Sequence, residues 1–272
     1  SGGVLMGETL NILAGDDLAA AGFHTPLAIH LFGEAMRRAA IDARRAVADP
    51  LGARIPYRDL LSPARAAEWR KSILPDRVIS TSSLAEPGPL RREGEQTTHF
   101  TIADSAGNVV AFTMSLGDLF GSGFFVAPLG FFLNSAMNDF TGGPNIVDPN
   151  KRPASPLAPS LILRDGRPFL ALGTRGGPAI PSVVLQVFLG VAVHGKTLAA
   201  AIDAPRYHQQ DVPDEMLYER GRAPKETINA LNAMGHGVAP RDSIGDVHAI
   251  LFENGRLTAV ADPRRGGAAG GM

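Results

Sequence analysis

Two dipeptides, Asp165-Gly166 and Asn254-Gly255, constrain the fold most. Each interrupts a run of strand-forming residues, "PSLILRDGRPFLALG" at 159–173 and "VHAILFENGRLTAVAD" at 247–262. A two-residue turn that matches strand twist needs positive φ at both central positions, which Asp, Asn and Gly tolerate. Each run is therefore predicted to fold as an antiparallel hairpin. A third hairpin is expected where "TTHFTIAD" and "VVAFTMS" flank Ser105-Ala106-Gly107-Asn108, and "GFFVAPLGFFLN" reads as glycine-punctuated strands.

Helices are predicted before and after these strands. Thr25-Pro26 is an N-cap followed by Pro at the first helical position. From there Leu31, Phe32, Ala35, Met36, Ala39, Ala43 and Val47 form an apolar face, and Glu34, Arg37, Arg38, Arg44 and Arg45 the polar one. Asp49-Pro50 ends this helix, and Ser62-Pro63 caps a second that carries Trp69. Ile180, Val183, Val184, Val187, Phe188 and Val191 follow helical spacing, as does the stretch from Pro224 to Met234. The expectation is an α+β protein with antiparallel sheets covered by helices. Ser80–Gln96 has Pro, Gly and charge without apolar period and is expected to be exposed and mobile; the Gly-rich tail is expected to be disordered.

Composition excludes several classes. The 272 residues carry a net charge of −1, which argues against nucleic acid as a partner. Without cysteine there are no disulfides, thiolate metal sites or cysteine nucleophiles. No apolar run is long enough for a membrane span. The seven histidines contain no i, i+4 pair, and no metal or cofactor is expected; His208 and His248 read as structural. "GVAVHGKT" at 190–197 matches a phosphate-binding loop in letters, but a helix pattern precedes it where that loop needs a strand, so a nucleotide binder is a remote alternative. Ser1 is not an initiator Met, so the sequence is read as beginning inside a longer chain, and the compartment stays open.

The boundary within "EGEQTTHFTIAD" is chemically suggestive. A charged linker stops at Gln96 and a strand begins with Thr97. Threonine favours strands in any case. If the Gln96–Thr97 bond is cut, however, Thr97 gains a free α-amine with a pKa of about 8, a base on the same residue as the hydroxyl nucleophile. Such a nucleophile needs an oxyanion hole, and Gly176-Gly177 in "GTRGGP" lies between a predicted strand and a predicted helix. A strand-to-helix turn that needs glycine for its backbone angles explains the same pair.

An ordered series of segments resembles the gamma-glutamyltranspeptidase family of N-terminal nucleophile hydrolases: "SGG" at 1–3, "TTHFTIAD" at 97–104, "GNVVAFT" at 107–113, "FGSG" at 120–123, "LNSAMNDF" at 133–140, "PNKRPASPLAPS" at 149–160, "GTRGGP" at 173–178, "APRYH" at 204–208 and "DPR" at 262–264. The resemblance implies a four-layer αββα sandwich whose N-terminal part is missing here. It divides the chain into the end of a large subunit, 1–96, and a whole small subunit, 97–272. It makes Thr97 the nucleophile released by self-cleavage at Gln96–Thr97. Ser115 falls on a hydroxyl that bonds the nucleophile, Gly176 and Gly177 on the oxyanion hole, Asp139 on the carboxylate for the donor's α-ammonium, and Ser155 on a hydroxyl for its α-carboxylate.

The implied activity is gamma-glutamyl transfer or hydrolysis, on small-molecule donors such as glutathione, with water or an amino acid or peptide as acceptor. A periplasmic or extracellular location is suggested by the resemblance alone. The remaining large-subunit segment is expected to be required. Three positions depart from the family: Gly117 stands for an Asn, Ala136 for a Gln or Glu, and Pro156 for the second Ser of a pair. Loss of these polar groups points to relaxed gamma-glutamyl specificity. The short segment from Asp139 to Pro149 leaves no room for a tyrosine lid. Alternatives are an acylase for a related dicarboxylic acyl amide and a non-catalytic, uncleaved or truncated member.

Overall fold

The structure, a computed structural model, describes residues 1–86, 88 and 96–271. Helices α1 (Gly2–Leu13), α2 (Leu18–Ala21), α3 (Pro26–Ala46), α4 (Tyr57–Leu60), α5 (Pro63–Lys71) and α6 (Thr81–Leu84) come first. Strands β1 (Thr97–Ala103), β2 (Val109–Ser115), β3 (Phe125–Val126), β4 (Phe131–Phe132), β5 (Ser160–Arg164) and β6 (Arg167–Arg175) follow. Then come α7 (Ile180–Ala192), α8 (Leu198–Asp203), β7 (Tyr207–Gln209), β8 (Met216–Glu219), α9 (Lys225–Ala233), β9 (Val238–Arg241), β10 (Asp246–Glu253) and β11 (Arg256–Ala261). They form two compact units. One comprises Ser1–Arg92, Met137–Ser155 and Pro205–Ile244; the other comprises Glu93–Ala136, Pro156–Ala204 and Gly245–Met272.

In the first unit α3 packs against α1 and α5. It starts as expected: Pro26 occupies the first turn and the Thr25 hydroxyl accepts from the Ala28 N–H at 3.2 Å. Its predicted apolar face is buried. The predicted polar face requires a correction, because Glu34, Arg37 and Arg38 are at most 1% exposed. Glu34 pairs with Arg37 at 3.0 Å and Arg38 at 2.9 Å. Arg37 also reaches Asp214 at 3.0 Å, and Arg38 donates to the Ser72 carbonyl at 2.8 Å. Helical i+3 and i+4 spacing lets these charges neutralise one another, and outside acceptors take further guanidinium donors, so this side can be buried too. Expectation and structure differ as well in the sheet β7-β8-β9, where β8 and β9 run parallel because α9 makes the crossover.

A second buried acid sits in this unit. Glu8 on α1 is fully buried beside Asp42 on α3. Burial first, then the Asp42 carboxylate, pushes the Glu8 carboxyl up to about 9. Asp42 is itself penalised by burial. Hydrogen bonds from Arg65 and Trp69 outweigh that penalty and hold it below its ordinary value. Glu8 is thus a neutral acid at physiological pH.

In the second unit the order β11-β10-β6-β5 forms an antiparallel sheet. Both predicted two-residue turns are present: Asp165 and Gly166 have φ of 51° and 75°, and Asn254 and Gly255 have 51° and 73°. The helices α7 and α8 cover one face, and the β1–β2 hairpin packs on the other. The alternation along β6 shows the division. A side chain added at Gly173 would strike the His99 ring of β1, whereas Thr174 and Val183 of α7 meet at Gly245. Helix, sheet and hairpin are three consecutive layers of the expected αββα order. The "GVAVHGKT" letters run out of the last turn of α7 to the N-cap of α8, so a helix and not a strand precedes them.

Of the segment expected to be exposed and mobile, 87 and 89–95 lie outside the described residues; α6 occupies its start, with Thr81 buried. The C-terminal tail to Gly271 has no helix or strand, and Gly267 lies against His248.

Glu8 gives a pH prediction. Because its folded pKa is raised, its contribution to stability is fully present below the unfolded value of 4.5 and is lost as pH rises toward about 9. In the complete protein, Glu8→Gln keeps a neutral group, so its urea midpoint relative to wild type should rise between pH 5 and pH 8; parallel curves would contradict this. At Gly173, Gly173→Ala should displace His99 and destabilise by about 1–3 kcal/mol. An unchanged midpoint would show that the ring does not fill that notch.

Candidate active site

The hairpin register fixes the centre of the site. β1 and β2 pair antiparallel with Thr97 opposite Ser115. Period-two alternation turns Thr97 and His99 inward, where each is 4% exposed, and turns Thr98 and Phe100 outward. The Thr97 hydroxyl donates to Ser115 Oγ at 3.0 Å. Ser115 Oγ in turn donates to the Gln96 carbonyl at 3.3 Å and accepts from the Gly117 N–H at 3.0 Å. The Thr97 hydroxyl, the Ser115 hydroxyl and the Gln96 carbonyl are therefore linked in one chain of contacts.

Gly117 has a structural reason beyond its departure from the family pattern. Its φ is +84°, and a Cβ there would collide with Ser135 Oγ. Ser135 receives the Asp118 N–H at 3.0 Å and donates to the Leu116 carbonyl at 3.2 Å, which holds the turn after β2.

Gly176 and Gly177 follow β6 directly, Gly176 as the N-cap and Gly177 as the first residue of the 3-10 turn Gly177–Ala179 that leads into α7. Their φ values of 131° and 54° are ones that L side chains seldom adopt. Gly176 also packs on Gly245, where a Cβ would lie 3.3 Å from its Cα. The residue before the pair, Arg175, donates to the Gln96 side-chain oxygen at 3.3 Å. The residue before the strand-to-helix turn is thus tied to the side chain of Gln96, whose carbonyl Ser115 reaches.

Asp139 and Ser155 belong to the first unit. Asp139 ends the 3-10 turn Ala136–Asp139. Asn145, fully buried, connects the two: its amide donates to the Asp139 carbonyl at 2.8 Å, and its Oδ1 accepts from the Ala154 N–H next to Ser155 at 3.0 Å. The Ser155 carbonyl accepts from Ser1 Oγ at 2.9 Å and the Gly2 N–H at 3.3 Å. Arg152 pairs with Asp49 at 3.0 Å, which anchors the segment before Ser155.

Three residues escaped the sequence reading. Asn145 carried no pattern that marks a brace. His99 was marked only by its two-residue spacing from Thr97. Its ring bonds Thr113 Oγ1 at 2.8 Å and Thr101 Oγ1 at 3.0 Å. Burial first, then neighbouring His248, brings its pKa down to about 4, so the ring is neutral at ordinary pH. Arg175 was visible as the one charge inside "GTRGGP", with no partner to assign it.

A family model described as Gamma-glutamyltranspeptidase matches residues 1–272. The "Glutathione hydrolase proenzyme" of Escherichia coli (strain K12) is 34% identical over 97% of the chain and 48% of its own length. Among solved structures, cephalosporin acylase from Bacillus halodurans superposes with a TM-score of 0.84 at 26% identity, over 96% of this chain and 48% of that one. A chain of the Helicobacter pylori gamma-glutamyltranspeptidase T380A mutant matches over its whole length, with 62% of this chain covered, a TM-score of 0.59 and 33% identity. The chain spans about half the length of the E. coli relative and of the acylase structure. With its layered second unit and the hydroxyl pair at the start of β1, the chain belongs to the gamma-glutamyltranspeptidase family.

Proposed function

We propose that the protein containing this chain is a self-processing amidase and acyltransferase with Thr97 as nucleophile. One observation carries the reading: Thr97 opens β1, buried, with its hydroxyl on Ser115 and Ser115 on the Gln96 carbonyl. In processing, the Thr97 hydroxyl adds to that carbonyl, the Gln96–Thr97 C–N bond breaks, and an ester and a free α-amine form. Water then opens the ester and leaves a carboxylate on Gln96. The division into 1–96 and 97–272 follows from this step. The small-subunit length is supported by the Helicobacter pylori chain that matches in full over 62% of this one.

In turnover the α-amine takes the hydroxyl proton while Thr97 Oγ attacks a donor amide. Gly176 and Gly177 N–H groups face the developing oxyanion, and the departing amine receives the proton. Water or an amine acceptor releases the acyl group. In this reading Ser115 orients the nucleophile, Asp139 holds a donor ammonium and Ser155 its carboxylate. Gamma-glutamyl compounds such as glutathione are the proposed donors. A second reading, an acylase for a related dicarboxylic acyl group, is favoured by Gly117, Ala136 and Pro156, which carry no polar side chain where the family pattern has one.

The rest of the protein has a place to bind. On the outer face of the hairpin Phe100, Ile102, Val110, Phe112 and Met114 are 40–55% exposed. A contiguous apolar strip of this kind needs a cover, and a further layer from the remaining large-subunit segment would supply one.

Thr97→Ala in the complete protein should leave one uncut chain by intact mass, without turnover of any donor. A variant that still splits between Gln96 and residue 97, or that keeps turnover, rules out Thr97 as nucleophile.

A further inference from the structure

We propose that, in the acylase reading, Arg175 determines donor specificity by reading the distal carboxyl of a glutaryl-type acyl group, a five-carbon dicarboxylic chain without an α-amine, and that Gln96 occupies that place in the uncut chain. The proposal rests on Thr97 being the nucleophile. In processing and in turnover the same oxygen attacks, so the Gln96 carbonyl and a donor carbonyl must reach the same point. What hangs from the Gln96 carbonyl then marks where a donor's acyl chain can run.

The covalent spacing is specific. In Gln96 three carbons, Cα, Cβ and Cγ, separate the carbonyl that Thr97 attacks from the side-chain amide carbon. In a glutaryl donor three carbons also separate the reacting carbonyl from the distal carboxyl. The Gln96 side-chain oxygen accepts from Arg175 Nη2 at 3.3 Å. A carboxylate in that place would draw the guanidinium to about 2.7–2.9 Å and offer two oxygens to its fork.

The position of Arg175 suits this role. It lies two residues beyond Gly173 on the face of β6 that meets the hairpin, and it directly precedes the oxyanion glycines. Its cross-strand partner in the sheet is Asp246 of β10, which is 8% exposed. Arginine keeps its charge at every working pH. A cation here offsets the polar groups absent at Gly117, Ala136 and Pro156.

The test uses the complete processed protein with glutaryl anilide and the monomethyl ester of the same anilide. Wild type should prefer the acid. Arg175→Met should reduce kcat/KM for the acid about ten- to a hundredfold more than for the ester, which is the range for a hydrogen bond to a charged group. The difference should lie in KM, and Arg175→Lys should restore part of it. In the precursor, Arg175→Met should slow cleavage at Gln96–Thr97, and this effect should vanish in a Gln96→Ala background. Equal losses on acid and ester would assign Arg175 a structural role and overturn the proposal while leaving Thr97 as nucleophile. An uncut wild type that turns over neither donor would overturn the nucleophile reading and this proposal together.

Discussion

The seat of His99 between the hairpin and the sheet is the constraint on which the site depends. A one-residue slip of β1 would send Thr97 to the outer face and bring Phe100 inward. The ring prevents this because it fills the space left by Gly173, is held by Thr113 and Thr101, and is too buried to charge. His248 strengthens the seam from the facing strand: its Nδ1 meets the His99 carbonyl at 2.9 Å, and its own carbonyl accepts from Thr101 Oγ1 at 3.1 Å. With the register set, Thr97 falls opposite Ser115, and the Gln96 carbonyl falls within reach of Ser115. The meeting of the Thr97 and Ser115 hydroxyls at the strand start is therefore a consequence of packing two residues further on.

Local signals were legible where one residue type has one physical use. The turns at Asp165-Gly166 and Asn254-Gly255, the N-caps at Thr25 and Ser62, and the helical spacing from Ile180 to Val191 all appear as the sequence predicts. Less was legible where a side chain's role depends on distant partners. Glu34, Arg37 and Arg38 have the spacing of a solvated helix face. Their burial depends on Asp214 and the Ser72 carbonyl, which no local pattern connects to them. The parallel pairing of β8 and β9 likewise follows from the path of α9 and not from strand composition.

The candidate site shows the same division. Thr97, Gly176 and Gly177 could be named as candidates because each stands in a recognisable segment, and Ser115 because the resemblance places it; the folded chain links Thr97 and Ser115 to the Gln96 carbonyl and Arg175, the residue before the glycines, to the Gln96 side chain. Gly117 was legible only as a missing side chain; its positive φ and contact with Ser135 show why the turn after β2 takes glycine. Asn145 acts through short-range bonds to Asp139 and Ala154 that no local pattern marks, and Arg175 meets Gln96 across 79 residues of sequence; both become visible only once the chain is folded.

The central claim is that Thr97, as a new N-terminal residue, carries the acyl group during turnover. The most direct measurement quenches the complete protein in acid during steady-state turnover of a slow acyl donor and maps its peptides by mass. A chain that begins at Thr97 and bears the donor's acyl mass on that residue is the predicted result. Turnover by a protein still intact across Gln96–Thr97, or an acyl group on any other residue, would contradict it.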